Sequence, residues 1–190
     1  MAVAARVVRP GLPRVLENVN TRYHRIALGL FMALVLAHLA EHVAQAIQIY
    51  GLGWAPPDAR GVLGMPFPWL VSSESLHYGY AIVMLIGLIA LRPGFVGASR
   101  SLWDVALGIQ IWHHFEHALL LGQSIAGRTL FGAEVPTSIA QLVIPRVELH
   151  LLYNALVLVP MVVAMVTHRH PSDEDRAQMT CTCAAFRATI

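Results

Sequence analysis

Six histidines and two glutamates carry the chemistry that this chain of 190 residues can offer. His38-Leu39-Ala40-Glu41-His42 is followed by His113-His114-Phe115-Glu116-His117, and Leu76-His77-Tyr78-Gly79-Tyr80 by Leu149-His150-Leu151-Leu152-Tyr153. On a helix, residues three and four apart share a face, so His38, Glu41 and His42 point one way, and Gln45 extends that stripe by a turn. Gln110, His113, Glu116 and His117 do the same. Imidazole lone pairs beside carboxylates form a ligand set for a transition-metal ion. The set suits iron, zinc or manganese better than copper(I), which prefers thiolates and thioethers. His38, Glu41, His42, His77, His113, Glu116, His117 and His150 are therefore the expected metal ligands, too many for one tetrahedral ion and enough for two.

These groups lie in segments apolar enough to enter a bilayer, where a charged side chain at mid-span costs about 2.5 to 3.5 kcal/mol. A bound cation would remove that penalty for Glu41 and Glu116, which are also the candidate catalytic residues. Tyr80 and Tyr153, one turn from His77 and His150, and Gln45, one turn from His42, are expected to hydrogen-bond or orient ligands. The residue types are similar to those of the di-iron carboxylate bundles, in which Glu-x-x-His motifs project inward from facing helices, although here the order differs and histidine is richer. The histidine boxes of membrane hydroxylases and desaturases have other spacings, and the inverted zinc-protease motif shares only its five letters. Each resemblance ends at the motif.

Four apolar segments position the ligands: Ile26 to Ile49, Val71 to Leu91, Leu102 to Ile125 and Ile139 to Thr167. Each is long enough to cross about 30 Å of hydrocarbon as a helix. Pro145 predicts a late start for the last, and Pro160 a kink. The rise per residue puts His42 about 10 Å below one end of its span and His77 about 9 Å below the same surface, with His117 and His150 at matching depth. Gln48 corresponds to Gln123, and the loop Arg60-Gly61-Val62-Leu63-Gly64 to Arg128-Thr129-Leu130-Phe131-Gly132. The expected fold is all-α, a polytopic four-helix membrane bundle built from two parallel copies of a two-helix hairpin. Residues 1–25 would be an N-terminal tail, 26–98 and 99–170 the two hairpins, and 171–190 a solvated, mobile C-terminal tail. Ten arginines fall in the tails and the 92–100 turn, against Arg60, Arg128 and Arg146 on the other side. The positive-inside rule then places both termini in the cytoplasm, as in a multi-pass cell-membrane protein.

Low charge and a net charge of +2 exclude a nucleic-acid binder and a disordered chain. Cys181 and Cys183, together in the tail, cannot form a disulfide framework, but could capture a soft metal or accept a lipid. His24, His168 and His170 are expected to be interfacial and satisfied locally, and Arg146 to pair with the neighbouring Glu148. The inventory predicts a membrane oxidoreductase with a dinuclear non-haem iron-type centre, a metal-dependent oxidase or hydroxylase acting on a lipid-soluble or periplasmic substrate. A b-type haem electron-transfer protein, with histidines as axial ligands, is the alternative. So is a divalent-metal carrier or accessory subunit, as a homodimer or within a larger membrane complex.

Overall fold

A computed structural model describes residues 13–184, and every regular element among them is helical. Helix α1 covers Arg14–Asn20 and α2 His24–Ala46, which runs on through a π-helical turn, Ile47–Gly51. A short α3, Trp69–Ser72, leads into α4, Glu74–Leu91, whose start is capped by the Ser73 side chain accepting from the Leu76 amide. The 3-10 turn Arg92–Gly94 connects α4 to α5, Gly97–Ala126. Gly127, at φ +58°, takes the left-handed conformation that ends α5. Helix α6, Arg146–Arg169, starts directly after Pro145 and runs through Pro160, and α7 covers Asp173–Gln178. The late start of the last long helix follows the sequence expectation. In the described part of the tail, Ser172 caps α7 through the Asp175 amide, with three acidic residues in its first turn, and Cys183 beyond it is buried rather than solvated. Arg6, Arg9 and Arg187 of the arginine count lie outside the described residues.

Among the described residues, three segments are long and apolar enough to cross a membrane: His24–Gly51, Glu74–Gly94 and Arg146–Arg169. Helix α5, with 30 residues, is longer than any of these but is not among the helices that carry a continuous stretch apolar enough to qualify. Its polar residues point inward, Gln110, Glu116, His117 and Gln123 being buried, while Val105, Ile111, Trp112, Phe115 and Ile125 are exposed. Averaging over both faces hides that apolar exterior.

The four long helices pack side by side, α5 against α4 and α6, and α2 against α6 and α4. Leu28, Phe31 and Val35 of α2, Met84 and Leu88 of α4, Trp103 and Ala106 of α5, and Val157 and Met161 of α6 form one apolar core. It sits at the end of the bundle carrying the α4–α5 turn, where Phe95 stacks on Trp103 and the Trp103 indole N–H donates to the Leu88 carbonyl at 2.8 Å. A bidentate pair, Arg92 to Asp104 at 2.5 and 2.7 Å, fastens the same turn.

Gly87 lets α2 approach α4, since a Cβ there would lie 2.2 Å from the Phe31 ring. A Cβ at Gly79 on the same helix would meet nothing within 4 Å. Gly87→Val should therefore lower unfolding stability in detergent by about 1 to 3 kcal/mol through overpacking, whereas Gly79→Ala should be neutral or slightly stabilising. Equal behaviour of the two variants would contradict this packing.

Candidate metal centre

Helical periodicity brings all six expected histidines to the loop end of the bundle. The Nε2 atoms of His38 and His42 on α2 face each other at 3.1 Å, and those of His113 and His117 on α5 at 3.2 Å. These spacings are close to the N···N edge of about 3.3 Å that two imidazoles span on one tetrahedral ion with metal–nitrogen bonds of 2.0 to 2.1 Å. His150 of α6 lies between the pairs, its ring centre 4.9 Å from His42 and 5.3 Å from His117. His77 of α4 completes the group, 6.2 Å from His117 and 6.3 Å from His150.

Hydrogen bonds to oxygen set the tautomers. His42 Nδ1 donates to Gln45 Oε1 at 2.8 Å, His77 Nδ1 to the Ser73 carbonyl at 3.0 Å, and His150 Nδ1 to the Arg146 carbonyl at 2.7 Å. In each case the Nδ1 proton is committed, so Nε2 carries the lone pair. His150 Nε2 is buried with no protein partner, as are Nδ1 of His113 and His117. His113, His117 and His150 offer nitrogens that all lie within 4.8 Å of one another, a group able to hold a metal ion.

The two glutamates reach toward the loops as well. Glu41 accepts the amides of Val62 at 2.8 Å and Leu63 at 3.1 Å, while Glu116 Oε1 accepts that of Ala140 at 2.8 Å. Glu116 Oε2 is buried and unpartnered. About two helical turns further, Gln48 both donates to and accepts from the Gly61 backbone, and Gln123 clamps Leu130 and Thr137 in the same manner. Tyr80 stacks on His38 with ring centres 3.7 Å apart, and Tyr153 lies 4.3 Å from His113 while its hydroxyl accepts from the Trp112 indole at 2.8 Å. A cavity of about 330 Å³ opens beside His38, His42 and His77, walled by Leu34, Leu63 and Leu76.

The expected local pair of Arg146 with Glu148 is not formed. Residues two apart on a helix point to different sides; Arg146 instead pairs bidentately with Glu74 of α4 at 2.7 and 2.8 Å, and Glu148 accepts from the Tyr50 hydroxyl. His170 is exposed, as expected at an edge. His24 and His168 are not, at 0% and 1% exposure. With Cys181 and Cys183 they form a second group whose ligand atoms all lie within 4.8 Å. The hydrogen bond from Cys183 pushes the Cys181 thiol down, with His168 and His24 adding to the effect, and the same contact pushes Cys183 up. The sequence reading missed this group, and the one signal available marks its histidines alone: eighteen residues, five helical turns, separate His24 from His42 on α2 and likewise His150 from His168 on α6.

No protein-family model, curated protein or solved structure matches this chain.

Glu41→Ala removes the acceptor of two loop amides, and Glu116→Ala that of one. A charged hydrogen bond contributes about 1.5 to 3 kcal/mol, so limited proteolysis should quicken roughly tenfold or more, between residues 60 and 68 for E41A and between 137 and 145 for E116A. Unchanged cleavage in both would show that other contacts hold the loops.

Proposed function

We propose that this chain is an integral membrane metalloprotein in which four helices, α5 included, cross the bilayer as two parallel hairpin copies. In this reading the six-histidine cluster binds two divalent transition-metal ions, iron foremost, and oxidises an apolar substrate. The observation that carries it is the convergence of six imidazoles in which His42, His77 and His150 commit their Nδ1 protons to oxygen, while His150 Nε2 and the Nδ1 atoms of His113 and His117 are buried without a protein partner. Buried nitrogens without partners are costly in an apolar bundle unless a cation takes them up. Corresponding contacts support the hairpin repeat: paired Nε2 atoms, a glutamate holding a loop amide, a glutamine clamping the same loop and a tyrosine ring against the first histidine, once in each half. The apolar outer face of α5 favours its being a span, and the arginine distribution favours cytoplasmic termini, with the cluster toward the opposite surface.

Redox-active ions held here would exchange electrons with an oxidant such as dioxygen. The protein's own contribution is more specific. His38 and His42 form one chelating pair and His113 and His117 another, with His77 and His150 reaching in from the two remaining helices. Glu116, through its unpartnered Oε2, adds a carboxylate, and Glu41 holds the loop that roofs the cavity. Gln45 fixes the ring of His42, and the tyrosines pack the inner histidines. The apolar walls beside His38 and His77 suit a substrate arriving from the lipid.

Opposed ring nitrogens on a single helix turn suit chelation of ions rather than haem, whose planar macrocycle must separate its two axial ligands. A second reading is a zinc site, favoured by His113, His117 and His150 forming a ligand group without a carboxylate.

Elemental analysis and a visible spectrum of the detergent-purified protein test the assignment. About two iron ions per chain at this cluster and no Soret band are expected, with loss of that iron in the triple variant His113→Ala/His117→Ala/His150→Ala. Gln45→Leu should weaken metal affinity about 10- to 100-fold, because an unanchored ring loses its orientation. Zinc in place of iron would favour the second reading, and iron unaffected by the triple variant would overturn the site.

A further inference from the structure

The end of the bundle away from the six histidines carries a different ligand chemistry. Four side chains from three places in the chain converge there: His24 opens α2, His168 lies in the last turn of α6, and Cys181 and Cys183 follow α7. His168 Nε2 lies 3.2 Å from Cys181 Sγ, and His24 Nδ1 lies 3.5 Å from Cys183 Sγ. A tetrahedral zinc ion with Zn–S near 2.3 Å and Zn–N near 2.0 to 2.1 Å separates its ligand atoms by about 3.3 to 3.8 Å. All four ligand atoms lie within 4.8 Å of one another, so a small contraction closes the tetrahedron.

Neighbouring groups aim the rings at this point. His24 Nε2 donates to the Leu91 carbonyl at 3.2 Å, which leaves the Nδ1 lone pair facing Cys183. Gly94 makes room for that ring, because a Cβ there would lie 2.3 Å from it. Phe95, wholly buried, packs on both histidines, its ring centre 5.2 Å from His24 and 4.7 Å from His168. Gly97, at φ +50°, admits the Asp175 carboxylate of α7, so the tail is seated by its helix as well as by its cysteines.

We propose that His24, His168, Cys181 and Cys183 bind one zinc ion that fastens the C-terminal tail to the ends of α2 and α6. Two thiolates and two imidazoles at a tetrahedral point are the donor set of a structural zinc site. With four protein ligands no position stays open for substrate, so the role is to hold structure. Both sulfurs bind as thiolates, any proton they still hold passes to solvent, and no oxidation state changes. This site shares no residue with the six-histidine cluster, which contains no sulfur.

The test uses full-length protein in detergent, purified under a sulfur-free reductant, stripped of metal and titrated with cobalt(II). One equivalent should produce sulfur-to-cobalt charge-transfer absorption, displaced by one equivalent of zinc, and the triple histidine variant of the other cluster should retain it. Cys181→Ser/Cys183→Ser should lose that absorption and one zinc per chain. Zinc should also protect the tail: at about a hundred times its dissociation constant, the detached population falls about a hundredfold, and cleavage between residues 170 and 184 slows with it. This second readout needs no substitution. Absence of the sulfur-to-cobalt band in the unmodified protein, or tail cleavage indifferent to zinc, would overturn the proposal.

Discussion

A helix bundle with an apolar exterior has to satisfy its interior polar groups from within, since neither lipid tails nor aliphatic side chains can replace a lost hydrogen bond. That constraint orders most of what lies between these helices. Asn20 donates to the Ala90 carbonyl at 2.7 Å and accepts the Gly94 amide at 2.8 Å, which locks α1 to the α4–α5 turn. Gln123 spends its amide on two loop residues and on the Leu119 carbonyl. The exceptions stand out against this background. Unpartnered buried nitrogens on His113, His117 and His150, and the unpartnered Glu116 oxygen, lie at the loop end, and the buried Nδ1 of His168 lies at the tail end.

The same constraint explains why glutamate occurs in both histidine motifs. A carboxylate that only neutralised a cation would have no reason to meet loop amides, and one that only capped a loop would not need to sit among imidazoles. Glu116 sets one oxygen on the Ala140 amide and keeps the other buried and unpartnered, whereas both oxygens of Glu41 meet loop amides. The loops over the cluster are thus tied to the residues that form it, so ligand geometry and loop position cannot vary separately.

Much of the loop-end cluster was legible in the sequence because four of its six histidines come in pairs four residues apart, and helical geometry puts such pairs on one face without knowledge of the fold. Depth along each apolar segment then aligned the four segments. The loop clamps were not legible, since a carboxylate reveals nothing locally about which distant amide it will accept. The partner of Arg146 was hidden for the same reason: Glu74 is seventy-two residues away, across a helix interface. The cysteine-histidine group was the hardest case. Its contact between Cys183 and His24 spans 159 residues, and a Cys-x-Cys pair in a polar tail has no periodicity that says where the tail will dock.

Helices α2 and α6 each carry one histidine to each end, His24 and His42 on one, His168 and His150 on the other, with ring centres 5.3 Å apart at the tail end and 4.9 Å apart at the loop end. The two helices therefore behave as antiparallel rulers of equal length, about 27 Å between marks. Any axial slip of one past the other would pull both histidine pairs out of alignment by the same amount. Closing either end fixes the register at the other, so the two ligand groups are mechanically gauged to one another although no atom connects them directly.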